Sequence, residues 1–529
     1  MNDILFRGVL IYDGSGAEPW IGDVSLKDGK IAAVAKEIPE RHAYTVDGKR
    51  LALAPGFIDA HSHSDAYVLY DPMRDCRLRQ GVTTEIGGQC GASKGPVARP
   101  VHPSYERYKA ATGGAKGAEF YTTYDELTAG IEAVRPAINQ VAFVGHLPIR
   151  GSVIGMENRP ATAKELDTMK ALVEGAMQQG APGFTTGLVY SPSQYAPTEE
   201  LVELAKVVAK YDGIYSTHMR GEAGHLLESV KEAIRIAKEA GVKTNLSHLK
   251  VMFEKNRPLL RQSLELIEQA NAEGCDISFD VYPYTATSAG FLSVLPPSYL
   301  AHGIDWVLEE LSTPAGVARL EQAILHPTEN WENSLLNAGF DKDVIVSCRN
   351  TKEIIGKSYH EIAVEKGLSD TAAFAWCIVA NEGAATDVRF LMAEEDVEML
   401  YRHPLCMVGS DGLYTGHGEL SHPRSWGTMT RYLGRYVREK NVQSFAEGIR
   451  RITGMPADRY RLKGKGYIRV GFDADLVLFD PERILDHADY KNPFLPNDGI
   501  EMVFVGGEAA VVNDRLTGAR NGSVLKYGK

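Results

Sequence analysis

His61 and His63 stand one residue apart at the end of an apolar run, in Pro55-Gly56-Phe57-Ile58-Asp59-Ala60-His61-Ser62-His63. Residues 51–58 read as a short buried strand. Side chains two positions apart on a strand point the same way, so the two imidazoles can close on one divalent ion. His-x-His alone is nonspecific. The same pattern recurs, however, after the other apolar runs of the chain. Cys90 follows the run 82–86 in the turn Gly87-Gly88-Gln89-Cys90-Gly91, His146 follows 140–145, His218 and His248 end 213–218 and 243–248, and Asp411 follows 405–410. Thiolate, imidazole and carboxylate are the ligand types that bind zinc and related metals. A chain with 15 histidines that places several of them at strand ends is read as holding a metal centre. The bland alternatives are a buried apolar thiol for Cys90 and a helix cap for Asp411. His146, in Gly-His-Leu-Pro, is given no ligand role.

Residues so far apart in sequence meet only if the fold brings strand ends together. Between the apolar runs lie amphipathic helical patterns at 163–179, 199–211, 222–240 and 259–272. Together with the run before His61, the strands at 82–86, 140–145, 183–186, 213–218, 243–248, 277–281 and 405–410 predict a closed (β/α)8 barrel, whose active sites gather at the C-terminal ends of the strands. An open doubly wound sheet would show a dinucleotide-type glycine turn, and the spacing around Gly87-Gly88 does not match one. Residues 284–403 are too long for a loop and are read as an insertion between strands seven and eight. β-type runs flank the barrel at 4–12, 23–26 and 30–34, and again at 466–470, 474–480, 501–505 and 509–513. They predict a small β-sandwich built from both termini, residues 1–54 and 457–529, around a barrel at 55–456.

With 44% hydrophobic and 24% charged residues, the 529-residue chain reads as an ordinary globular protein. A net charge of −12 argues against nucleic acid and anionic membranes as partners. No apolar run approaches the ~20 residues that span a bilayer, and no signal peptide is visible. The six cysteines show no paired spacing, which predicts reduced thiols and a cytoplasmic location. The expected partner is a small-molecule substrate, and homo-oligomerisation is left open.

Gly56-Phe57-Ile58-Asp59-Ala60-His61-Ser62-His63, Ser247-His248-Leu249-Lys250 and Gly409-Ser410-Asp411-Gly412 resemble the amidohydrolase superfamily. Gly88-Gln89-Cys90-Gly91-Ala92-Ser93, Thr217-His218-Met219-Arg220-Gly221-Glu222, Asp280-Val281-Tyr282-Pro283-Tyr284 and His422-Pro423-Arg424-Ser425-Trp426 are most similar to its N-acyl-D-amino-acid deacylase (D-aminoacylase) family. The resemblance implies one tightly bound Zn2+ on Cys90, His218 and His248, and a second, weak or empty position at His61, His63 and Asp411. Residues 183–187 lack the lysine that bridges two metals in related hydantoinases and dihydroorotases. A metal so held activates water and polarises an amide carbonyl. Asp411 would take the proton of that water and return it to the leaving amine. By resemblance, Lys250, Tyr282, Ser288 and Arg424 bind the substrate carboxylate, and Tyr190 lies near the acyl carbonyl. The uncharged segment 290–297 predicts hydrophobic D-residues over D-glutamate or D-aspartate.

Two other readings share these residues. One is a dipeptidase cleaving L-Xaa-D-Xaa at the same site; the other is a noncatalytic metal-binding scaffold, which would not need Asp411 beside the metal.

Overall fold

The computed structural model describes residues 3–63, 65, 67–117, 119–329, 331–413 and 419–527. In it the apolar run ahead of His61 is two strands rather than one. Gly56 is the break, and a Cβ there would stand 2.1 Å from Thr83 Oγ1, so only glycine lets the chain pass from one sheet into the next at this point. Upstream, β1 (Asp3–Ile11), β2 (Trp20–Lys27), β3 (Lys30–Ala35), β4 (Tyr44–Asp47) and β5 (Ala52–Pro55) belong to one sheet. Downstream, β6 (Phe57–Asp59) starts another.

β6 runs parallel to β7 (Val82–Gly87), and β7 to β8 (Asn139–Ala142). β8 leads into β9 (Val144–Gly145), from which β10 (Gly183–Gly187), β11 (Ile214–His218), β12 (Lys243–Leu246) and β13 (Ile277–Val281) follow side by side, all parallel. Every residue of β10, β11 and β13 is buried, which is why these strands read as continuous runs without alternation.

After β13 the chain leaves the barrel. β14 (Thr287–Gly290), β15 (Asp343–Cys348) and β16 (Ala385–Arg389) form an antiparallel sheet, and with the surrounding helices they enclose a separate core around Phe291, Leu320, Ile345 and Phe374. β17 (Cys406–Val408) then pairs with β13. The ring closes where Ala60 N donates to Val408 O at 3.2 Å and Asp411 N to His61 O at 2.8 Å.

The outer helices follow their sequence signals. Thr162 and Glu165 form a capping box for helix Ala163–Gln178, and Gly241 ends helix Leu226–Ala240 in the left-handed conformation. This last helix was expected from residue 222. It begins four residues later, because Glu222 turns inward to meet Lys250 and His248.

β18 (Leu476–Phe479), β19 (Ile500–Val505), β20 (Glu508–Val512) and β21 (Arg515–Leu516) complete the terminal sheet by pairing β18 with β5. Phe6 and Phe504 meet edge to face with ring centroids 5.3 Å apart, joining the two chain ends in one apolar core. The strand expected at 466–470 does not form. Gly464 and Gly466 both take positive φ, and the segment turns rather than extends. Among the described residues no helix is long and apolar enough to cross a membrane.

Candidate metal centre

The ends of β6, β7, β11, β12 and β17 bring two overlapping groups of donors together. Cys90, His218 and His248 form one, and His61, His63, Cys90 and Asp411 the other; within each, the donor atoms lie within 4.8 Å of one another. Cys90 Sγ is 3.2 Å from His248 Nε2 and 3.4 Å from His61 Nε2. Asp411 Oδ1 is 3.0 Å from His63 Nε2 and 3.5 Å from His61 Nε2. Cys90 is thus common to both groups.

Cys90, His248 and Asp411 all adopt left-handed backbone conformations, with φ of 51°, 36° and 48°. For residues with a Cβ this costs about 1 kcal/mol each, so neighbouring bonds must hold them there. Asp280 Oδ1 accepts from His248 N at 2.8 Å and stands 3.1 Å from His61 Nδ1. Asp59 accepts from Ser410 N at 2.7 Å and from Ser410 Oγ at 2.5 Å, and Gly412 N donates to Ser410 Oγ at 3.0 Å. Asp411 is therefore flanked by two fixed residues.

Burial opposes ionisation of the Cys90 thiol, yet His248 and His61 hold it well below the usual thiol range. Burial likewise opposes a charged Asp411, but Arg424, His248, His63 and His61 keep its carboxyl well below the ordinary value. Both shifts favour the form that binds a cation. His218 Nδ1 is buried with no hydrogen-bond partner, an open ligand nitrogen beside the Cys90 sulfur. This donor set fits a zinc-like ion.

Two carboxylates behind the histidines escaped sequence reasoning. Glu222 Oε1 lies 2.7 Å from Lys250 Nζ and 3.0 Å from His248 Nδ1, and its Oε2 lies 3.6 Å from His218 Nε2. Asp280 does the same for His61. Such partners orient metal-binding imidazoles. The spacing His218 to Glu222 was a usable signal, masked by the helical pattern that follows it. His146 joins no ligand group; its ring bonds Ser193 Oγ at 2.8 Å and Glu200 Oε1 at 3.1 Å.

Beside the donors opens a cavity of about 380 Å3, lined from the barrel by Tyr190, His218, His248, Lys250, Tyr282 and Asp411, and from the insertion by Ser288, Leu292, Leu295 and Arg389. The Tyr190 and His218 rings are 5.1 Å apart, and Lys250 Nζ sits 5.6 Å from the centre of the Tyr282 ring. Ser288 Oγ donates to Asp387 O at 2.8 Å. Arg424 is only 1% exposed and stands behind the lining, its Cζ 4.7 Å from the centre of the Tyr282 ring. All six cysteines are free thiols.

The amidohydrolase family matches the chain over residues 45–305 and 360–511. An N-acyl-D-aspartate deacylase of Alcaligenes xylosoxydans xylosoxydans is 33% identical, covering 99% of this chain and 95% of that protein. A D-aminoacylase of the same organism is also 33% identical, covering 99% and 97%. Among solved structures, the N-acyl-D-glutamate deacylase of Bordetella bronchiseptica complexed with zinc and a phosphonate inhibitor matches with a TM-score of 0.84 at 30% identity, covering 99% of both chains.

Proposed function

The chain belongs to the amidohydrolase family, and within it to the N-acyl-D-amino-acid deacylases; on that premise we propose that it hydrolyses the amide bond of linear N-acyl-D-amino acids, giving a carboxylic acid and a free D-amino acid. The carrying observation is that the Cys90, His218 and His248 group and the group containing Asp411 meet at Cys90, and that His218, His248 and Asp411 line one cavity. We assign the tight Zn2+ to Cys90, His218 and His248, and a weak or empty second position to His61, His63 and Asp411. We also divide the chain into a barrel at 55–456 with its insertion at 284–403, and a small β-sandwich from 1–54 and 457–529. The six free thiols suit a reducing, cytoplasmic setting.

The metal, when bound, supplies Lewis-acid activation of water and of the amide carbonyl. Asp411, held by His63 at 3.0 Å, accepts a proton from the attacking water and returns it to the amide nitrogen as the C–N bond breaks. That return is required because an amide anion is a poor leaving group. Tyr190, which lines the cavity beside His218, is assigned to donate to the acyl carbonyl oxygen. Lys250, Tyr282, Ser288 and Arg424 are assigned to the substrate carboxylate. Lys250 is already paired with Glu222, which keeps it charged inside the barrel. Arg424 must turn from Asp411 to reach a substrate. The apolar wall of Leu292, Leu295 and Leu300 supports a hydrophobic substituent, whereas Arg389 on the same cavity does not fit a uniformly apolar pocket.

The test is a screen of N-acetyl and N-formyl derivatives of D- and L-amino acids with the zinc-loaded protein. Release of free D-amino acids, with the L-series inert, is the expected result. Faster cleavage of L-aminoacyl than of acetyl derivatives of one D-residue would make it a dipeptidase, and inertness to all of them would overturn the reading.

A further inference from the structure

We propose that Arg389 receives a second carboxylate of the substrate, beyond the α-carboxylate, so that dianionic N-acyl-D-amino acids are preferred; this rests on the deacylase reading above. The segment 290–297 is uncharged, but it does not make the pocket alone. β14 and β16 pair antiparallel with Thr287 opposite Arg389, which brings a guanidinium from about a hundred residues further along the chain to the wall beside Ser288 and Leu292.

That guanidinium is anchored on one side and open on the other. Its Nε donates to Asp387 Oδ1 at 2.8 Å, and its Nη2 donates to Ser293 Oγ at 3.1 Å and lies 3.4 Å from Gly290 O. The other oxygen of Asp387 accepts from Tyr359 OH at 2.8 Å, so the anchor is itself fixed. Nη1 has no acceptor among the described residues and is not sealed from solvent. Arg389 as a residue is 9% exposed, and it lines the cavity. A cation at a cavity wall whose orientation is set in advance and whose Nη1 is left open can receive a carboxylate.

The other cations on this wall have their charge answered within the protein. Lys250 Nζ meets Glu222 at 2.7 Å and His248 Nδ1 at 2.7 Å. Arg220 meets Glu232 at 2.9 Å and donates to two backbone carbonyls. Arg389 also has carboxylate neighbours, Asp387 and, at 4.0 Å, Asp343. A purely structural arginine serving those two carboxylates would have no use for an open Nη1, and it would affect all substrates alike.

The second carboxylate can sit on the side chain of the D-residue or on the acyl group, and three substrates separate these. N-acetyl-D-leucine carries neither, N-acetyl-D-glutamate carries the first and N-succinyl-D-leucine the second. The parent enzyme should favour one dianionic substrate over N-acetyl-D-leucine, and that substrate identifies the source. Arg389→Met should lower kcat/KM for it by about 30- to 100-fold while changing N-acetyl-D-leucine by no more than about threefold. Arg389→Lys should recover part of the loss, since charge is kept without the planar fork. The ratio of the two substrates in one preparation does not depend on how much of the variant folds. An equal loss for all three substrates, or no preference for either dianion in the parent, overturns the proposal. If no compound is turned over, the deacylase reading fails by itself. Calorimetric binding of the same three compounds to the zinc-loaded parent and to Arg389→Met then still decides Arg389, because selective binding of a dianion that the variant loses upholds it and its absence overturns it.

Discussion

Arg424 Nη1 stands 2.8 Å from Asp411 Oδ2, so the guanidinium assigned to the substrate lies against the carboxylate assigned to proton transfer. The pair is buried, and its second contact is the Ser288 carbonyl, 3.4 Å from Nη2. A carboxylate arriving from the substrate would compete with Asp411 for the same positive charge.

Arg424→Met therefore removes two things at once, the substrate contact and the counter-charge of Asp411. For an N-acyl-D-amino acid, kcat/KM should fall by about 2–4 kcal/mol. For the corresponding amide, which lacks that negative charge, only the part acting through Asp411 should be lost. Kinetics of both substrates in parent and variant measure the difference. An identical loss would remove Arg424 from substrate recognition.

Cys90 is common to both donor groups, whereas His61 belongs to one. Cys90→Ala should abolish most bound metal and activity, and His61→Ala should retain more metal. Elemental analysis of the purified variants reads this directly. Full metal content without Cys90 would sink the ligand assignment.

Asp411→Asn keeps the shape of the side chain but cannot accept a proton from water. The variant should hold the tight metal and lose nearly all turnover. Activity within about tenfold of the parent would move the acid–base role to another group.

Glu85 gives a pH dependence unrelated to the metal. Burial alone would raise its carboxyl, but Arg74 and Arg77 hold it down to about 2, against an ordinary 4.5. A carboxyl with a lowered folded pKa stabilises in full above about pH 4.5, and loses that contribution as the pH falls towards 2. The shift corresponds to about 3 kcal/mol. Thermal unfolding of Glu85→Gln should start from a lower Tm at pH 6 and fall less steeply down to pH 3.5. A parallel fall in both proteins would show that Glu85 does not carry this acid sensitivity.

His61, Cys90, His218, His248 and Asp411 were legible because each directly ends, or closely follows, a short apolar run, and a parallel barrel turns that sequential pattern into one mouth. The helices at 163–178 and 258–272 were legible from their 3.6-residue periodicity, and the first also from its capping residues. Local pattern could not place the boundary at Gly56, since apolar residues continue across it; the two sheets show only in the pairing of β5 with β18 and of β6 with β7. Nor could it reveal the inward turn of Glu222, whose surroundings look helical.

Composition, order of elements and the chemical types at the strand ends were determined by the sequence itself, because burial and periodicity are local properties of a chain. The tertiary structure alone decided that Arg424 faces Asp411, that Glu222 stands behind two histidines, and that Arg389 shares a wall with Ser288. Each of these depends on the register between strands or on the direction of one side chain, which is set by packing between segments far apart in sequence.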